Sequence, residues 1–147
     1  MTVPVHAALI SPEPSEHLEI MARTIYGEAR GEPFEGQVAV AHVIRNRASR
    51  PGWWGSDIKG VCLKPHQFSA WLDEDATRPA MVAATLLDPA YMQCLGIAAL
   101  VLSGSLTDPT GGATHYHADY VKPGWIAALE HAVTIGHHLF YREKVVR

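Results

Sequence analysis

Glu28 is the carboxylate whose placement in this sequence can do acid–base chemistry. At roughly 100° per residue along a helix, Leu18, Met21, Ala22, Ile25, Tyr26 and Ala29 form one apolar stripe, and Glu28 stands about 90° from its centre, beside Met21 and Ile25. It falls in the last turn of that helix, at the edge of a buried face. Desolvation by apolar neighbours and the negative C-terminal end of the helix dipole both raise a carboxyl pKa there. A Glu kept protonated near neutral pH is what general-acid cleavage of a glycosidic bond requires. The same spacing also suits a solvated flank residue, so spacing alone leaves both readings open.

Glu32 and Glu35 lie close by, and Asp57, Asp73 and Asp108 are further carboxylates. A two-carboxylate glycosidase needs its pair about 5–9.5 Å apart, which residue order cannot establish. Nine histidines are the compositional oddity. His115 and His117 flank one residue, so on a strand both point the same way, and His137-His138 follow. Joined by Glu28 or Asp119, His115, His117 and His137 would make a three-ligand zinc site for peptide or amide cleavage. No Gly-x-Ser-x-Gly elbow, phosphate-binding loop or His-Glu-x-x-His is present, which removes the common hydrolase and nucleotide readings.

The elements that must position these groups follow from periodicity. Residues 1–14, with Pro4, Pro12 and Pro14, read as a flexible arm, and 15–147 as a single domain. Ser15 is a candidate N-cap, with Glu16 and Glu19 in the first turn. Gly31 and Pro33 stop the first helix. A second runs from Pro33 to about Arg47, with Phe34, Val38, Ala41 and Ile44 inward, and the two form a hairpin. A long irregular stretch, Ala48 to His66, carries Trp53 and Trp54; loops beyond ~12–15 residues are usually functional or disordered, and paired tryptophans argue for function. Helices follow at Pro79–Leu87 and Ala90–Ser103, a turn at Asp108–Gly112, a strand at Thr114–His117 and a short helix at Trp125–Ala132, while Ala132–Tyr141 allows strand or helix and is read as one strand.

The 147 residues, 48% apolar and 18% charged, suffice for one core and exclude a disordered chain. A net charge of −3, with Arg45, Arg47 and Arg50 as the one basic cluster, gives no footprint for nucleic acid. No apolar run approaches the roughly 20 residues of a membrane span, so no membrane insertion is expected. The N-terminus has no signal-peptide pattern, which implies synthesis in the cytoplasm. Cys62 and Cys94 read as buried free thiols.

Tyr26-Gly27-Glu28-Ala29-Arg30-Gly31-Glu32-Pro33, then Gly36–Ala41 and Val43-Ile44-Arg45-Asn46-Arg47, resemble the spore-cortex-lytic (SleB-type) cell-wall hydrolase family. Gln67-Phe68-Ser69-Ala70-Trp71 resembles its second signature. Asp108–Ala113, Tyr116 and Ile135–Phe140 resemble its third. The resemblance covers roughly residues 18–142 in family order. It implies an α+β, mainly α fold: a helical body like that of lysozyme and lytic transglycosylases beside a small β-containing part, with a cleft between. It also implies cleavage of peptidoglycan glycan strands between N-acetylmuramic acid and N-acetylglucosamine, with the catalytic glutamate at Glu28. A peptidoglycan-binding domain and export signal, which spore members often carry, are not found. That departure points to a compact, monomeric enzyme of the phage-lysin kind, acting on the wall after release through a holin.

On this resemblance Glu28 serves as a single acid and base, with no cofactor and no metal. Gln67, Ser69 and Trp71 offer amide, hydroxyl and aromatic face to an acetamido sugar, although Trp71 and Phe68 equally suit a core. Tyr116 offers a cleft hydroxyl. Asn46 either bonds substrate or ends its helix, and Glu32 either assists or is structural, capping the second helix or pairing with Arg30 or Arg47. Two rivals stay open: the zinc amidase or peptidase, and a glycan-binding module without catalysis.

Overall fold

The computed structural model describes residues 12–50 and 52–144. Among the described residues five helices come first: α1 (Pro12–Ala29), α2 (Phe34–Ala48), the short α3 (Ile58–Leu63) and α4 (Arg78–Ala83), and α5 (Pro89–Leu102), with a 3-10 turn at Ser69–Trp71. A three-stranded antiparallel sheet follows, of β1 (His115–Ala118), β2 (Leu129–Ile135) and β3 (His138–Glu143), in the order β1-β3-β2. The helical body beside a small sheet is the architecture that the motifs implied. No described helix is long and apolar enough to cross a membrane.

The stripe on α1 is buried as its periodicity predicts, with Met21, Ala22 and Ile25 fully covered. It packs against α5, which contributes Cys94, Ile97, Ala98 and Val101, and against α2. α2 is apolar almost all round, because Val38 to Ala41, Val43 and Ile44 are all buried; a helix of that kind lies at the centre of a fold. Phe34, expected inward, is 51% exposed, since it stands at the first position of α2 and overhangs the core. The hairpin between α1 and α2 is held by Gln37, whose side-chain amide donates to the carbonyls of Ala29 at 3.1 Å and Arg30 at 3.3 Å, the first shared with the Glu32 N–H. Gln93 in turn donates to the Gln37 amide oxygen at 2.8 Å.

Several boundaries differ from the expected ones. α1 already begins at Pro12, so Ser15 lies inside it rather than capping it; residues 1–11 of the expected arm lie outside the described residues. The irregular stretch contains α3, because the Asp57 side chain accepts the Gly60 N–H at 2.7 Å and so caps that helix. The helix expected at Pro79–Leu87 ends at Ala83, and Leu86 and Leu87 beyond it stay exposed. The helix expected at Trp125–Ala132 is only a 3-10 turn at Gly124–Ala128. From Leu129 the chain extends, as the β-branched Val133, Thr134 and Ile135 prefer. Gly136, at a φ of +59°, and His137 then turn β2 into β3. Cys62 and Cys94 are buried and unpaired, as expected.

Candidate active site

Glu28 closes α1 on the floor of a cleft of about 500 Å³ between the helical body and the edge strand β1. Its Oε2 accepts the backbone N–H of Ala70 at 3.0 Å, and its Oε1 accepts the Tyr116 hydroxyl at 2.5 Å. Gly27 makes the first of these bonds possible. A Cβ there would stand 2.6 Å from the Ala70 Cβ and 2.7 Å from the Met81 sulfur, so only glycine lets the Ser69–Trp71 turn lie this close to α1. Trp71 fastens that turn from the other side, its indole N–H donating to Thr24 Oγ1 at 2.9 Å.

Burial is the main influence on the Glu28 carboxyl and raises its pKa. The bonds from Tyr116 and Ala70 oppose it, the charge of Asp75 reinforces it, Arg47 draws it back down, and the net direction is upward. The Tyr116 phenol is pushed well above its ordinary value, first by burial and then by the neighbouring carboxylate. Tyr116 therefore stays a donor across the working pH range. Its ring is set by β1–β3 pairing, opposite Phe140 and against His138.

Of the expected site residues, Glu28, Gln67, Ser69 and Tyr116 line the cleft together. Trp71 does not; its ring packs against the core and its N–H is taken by Thr24. Asn46 does not either. Its amide donates to Asp108 Oδ2 at 3.0 Å and to the Ala113 carbonyl at 2.9 Å, tying α2 to the Asp108–Gly112 turn. Asp108 itself is consumed by Thr110 and Gly112, which explains that turn. Glu32 is structural, but with a partner other than those expected. It accepts the His137 backbone N–H at 2.7 Å and meets the His137 ring at 3.0 Å, rather than capping α2 or pairing with Arg30 or Arg47. Asp57 caps α3, and exposed Asp73 faces Arg78 at 3.6 Å.

The histidines do not converge. His115 is wedged between Trp54 and Trp125, His117 bonds the Ala118 carbonyl and the Tyr141 hydroxyl, and His137 is held by Glu32. Among the described residues, no three His, Cys, Asp or Glu side chains stand together as a metal would need. Burial, aided by the charge of Arg47, lowers the His115 pKa to about 4.

Residue order alone missed Arg47, Asp75 and Trp125, all three on the cleft. Arg47 is 6% exposed, donates from Nε to the Thr114 carbonyl at 2.7 Å, and lies between the rings of Trp54 and Phe68. Its presence among Arg45, Arg47 and Arg50 disguised it as part of a basic surface. Asp75, the other carboxylate lining the cleft, accepts the N–H and hydroxyl of Thr77; the Asp-x-Thr spacing was the available signal. His66, also on the cleft, holds a φ of +65°, a left-handed conformation rare outside glycine and enriched at working sites.

A family model described as Cell Wall Hydrolase matches residues 31–141. The spore cortex-lytic enzyme of Halalkalibacterium halodurans is 37% identical over 126 residues, covering 84% of this chain and 34% of that protein. The spore cortex-lytic enzyme of Bacillus subtilis is 32% identical over 126 residues, covering 84% and 36%. The chain thus spans about a third of the length of these relatives. Among solved structures, the catalytic domain of the germination-specific lytic transglycosylase SleB from Bacillus anthracis superposes with a TM-score of 0.68 at 31% identity, over 86% of this chain and 93% of that one. The catalytic domain of the Bacillus cereus SleB protein gives 0.66 at 30% identity, over 87% and 91%.

Proposed function

The chain belongs to the cell wall hydrolase family, and on that premise we propose that it cleaves the glycan strand of peptidoglycan as a lytic transglycosylase, with Glu28 as acid and then base. The observation that carries the reading is the state of Glu28: a carboxyl in the cleft whose burial holds it protonated above the ordinary carboxylate range, with one oxygen fixed by a backbone N–H and the other by a phenol.

Neutral Glu28 gives its proton to the glycosidic oxygen between N-acetylmuramic acid and N-acetylglucosamine as the C1–O4 bond breaks. The muramyl ring takes on oxocarbenium character, and the departing N-acetylglucosamine leaves with a 4-hydroxyl. The Glu28 carboxylate, now charged and stabilised by Tyr116 and Ala70, accepts the proton of the muramyl 6-hydroxyl as the C1–O6 bond forms. The product is a 1,6-anhydro ring, and Glu28 is protonated again. One carboxyl suffices, which agrees with Glu32, Asp57, Asp73 and Asp108 all being engaged elsewhere. The negative charge of Asp75 on the same cleft favours both the protonated Glu28 and the positive sugar. Gln67 and Ser69 line the same cleft and in this reading offer an amide and a hydroxyl to an acetamido sugar. In this reading the enzyme works as a monomer on the wall and takes neither metal nor cofactor.

Digestion of purified sacculi followed by mass spectrometry of reduced muropeptides tests it. Anhydro products, about 20 mass units lighter than their reduced hydrolytic counterparts, are expected. New free amino groups on intact glycan strands would overturn it in favour of an amidase or peptidase. Glu28→Gln is expected to lower turnover by about 10²–10⁴-fold while keeping affinity for sacculi. A pure glycan-binding module would show no turnover to lose.

A further inference from the structure

A second concavity of about 500 Å³ lies on the helical body, between the Gly52–Gly55 loop and α3. Trp53, Trp54, Asp57, Lys59, Leu63 and Lys64 line it. Trp53 is 68% exposed, an unusual position for the largest apolar side chain. The loop that carries it is fixed rather than loose. Gly52 and Gly55 exchange backbone hydrogen bonds at 3.3 and 3.1 Å. Gly55, at a φ of +124°, lies so close to α3 that a Cβ would meet backbone atoms of Gly60 and Val61 at 3.0 and 3.1 Å. Trp54, partly buried, anchors the loop to the core over the Arg47 guanidinium. Trp53 is thus presented to solvent on a rigid base.

The pocket is joined to the catalytic cleft by aromatic rings in contact. Trp53 meets Trp54 edge-on at 6.3 Å, Trp54 meets His115 at 5.7 Å, and His115 meets Trp125 at 4.9 Å. Trp125 lines the cleft that holds Glu28. Flat apolar rings with polar edges suit the C–H faces of pyranose sugars, and a row of them suits a chain of sugars. The charge agrees. Lys64 Nζ sits 4.6 Å from the centre of the Trp53 ring, whereas Lys59 is already paired with Glu16. An ammonium beside an exposed indole fits a sugar that carries an anionic substituent, and muramyl residues bear stem peptides whose free carboxylates supply one.

We propose that the Trp53 pocket is a second saccharide subsite, in which a muramyl residue of the same glycan strand stacks on Trp53 and sets its stem carboxylate on Lys64, holding the strand while Glu28 cuts it. The proposal rests on the glycosidase reading, but its test separates the two. In the full chain carrying Glu28→Gln, affinity for purified sacculi is measured by sedimentation, with Trp53→Ala, Trp53→Phe and Lys64→Gln added singly. Trp53→Ala is expected to weaken binding by about tenfold, the equivalent of one good aromatic contact. Trp53→Phe should restore most of it, and Lys64→Gln should lose about threefold and flatten the salt dependence. In the chain with Glu28 intact, Trp53→Ala should lower kcat/KM on sacculi through KM and leave cleavage of a muramyl tetrasaccharide unchanged. Sacculus affinity of Trp53→Ala within twofold of its parent overturns the subsite, as does an equal loss on the tetrasaccharide. Undiminished cleavage by Glu28→Gln would instead overturn the catalytic reading and leave the binding comparison standing.

Discussion

Tyr116 donates its hydroxyl proton to Glu28 Oε1 at 2.5 Å, across 88 positions of chain, so the edge strand of the sheet finishes a site begun by the first helix. Neither residue has this property by itself. Glu28 without the sheet would be a carboxyl at the frayed end of a helix, and Tyr116 without Glu28 would be a buried hydroxyl lacking its acceptor.

Tyr116→Phe keeps the ring against His138 and Phe140 and removes only the donor. The donated bond favours the carboxylate, so without it the effect of burial on Glu28 is less opposed and the Glu28 pKa moves further up. The alkaline limb of the pH–rate profile, where the acid is lost, is therefore expected at higher pH. Turnover should fall by roughly 10- to 100-fold, matching a hydrogen bond to a charged group worth about 1.5–3 kcal/mol. A limb displaced to lower pH would contradict the assigned role.

Gly27→Ala tests the close approach that delivers the Ala70 N–H. In an ordinary helix interior this change gains about 0.8–1.0 kcal/mol. Here the new Cβ would stand 2.6 Å from Ala70 and 2.7 Å from the Met81 sulfur, so the Ser69–Trp71 turn must move away from Glu28. The expected outcome is a protein no more stable than its parent and with kcat reduced at least tenfold, on the scale of one lost hydrogen bond to a charged group. Parallel thermal melts and sacculus assays check it. Unchanged kcat would show that the Ala70 bond is dispensable.

Glu28→Gln should also change stability, with a definite sign. The native pKa of Glu28 lies above its unfolded value, so the native state binds the proton more tightly. The stability this supplies is complete below the unfolded value near 4.5 and is lost as pH rises through the native one. Above its native pKa the wild type therefore bears a buried charge that the neutral amide does not. The variant should melt at a higher temperature there, with the gap closing as pH falls. A gap that widens toward acid would contradict burial as the cause.

The helical half of this molecule was legible because its signals are local. The stripe from Leu18 to Ala29 and the stops at Gly31 and Pro33 predict α1 and its hairpin with α2. The motif that includes Glu28 singled out a carboxyl that lines the cleft, but its second hydrogen bond comes from Tyr116, which only tertiary pairing brings near. Trp71 and Asn46 stayed ambiguous in the sequence because residue type announces capacity, not use. Indole N–H and amide groups serve a sugar or a fold equally well, and here Thr24, Asp108 and Ala113 take them. Strand β2 was taken for helix over residues 129–132 because its signal depends on pairing with β3. Asp75 and Arg47 escaped because each sits within a run of like charges that reads as surface.

The contact between Glu32 and His137 fastens the β2–β3 turn to the helix hairpin, and its pH dependence follows from both partners. Burial alone would raise the Glu32 pKa, but the side-chain and backbone bonds from His137 outweigh it, and the net direction is down. That contribution is present above the unfolded carboxyl value near 4.5 and is lost as pH falls through the native one. His137 moves up, chiefly through its bond to Glu32, so its contribution is complete below 6.5 and is lost as pH rises through the native value. The tie is strongest between these limits. The melting-temperature difference between wild type and Glu32→Gln should therefore peak between pH 4.5 and 6.5 and shrink on either side. Gly136→Ala attacks the same junction sterically, since its Cβ would lie 2.5 Å from Glu32 Oε1 and 2.9 Å from the Pro33 ring at a φ of +59°. It should cost about 1–3 kcal/mol at every pH. Because β3 also carries Phe140 beneath Tyr116, both variants should lose activity as the sheet loosens, and a pH-independent deficit in Glu32→Gln would show that the pair acts through packing rather than charge.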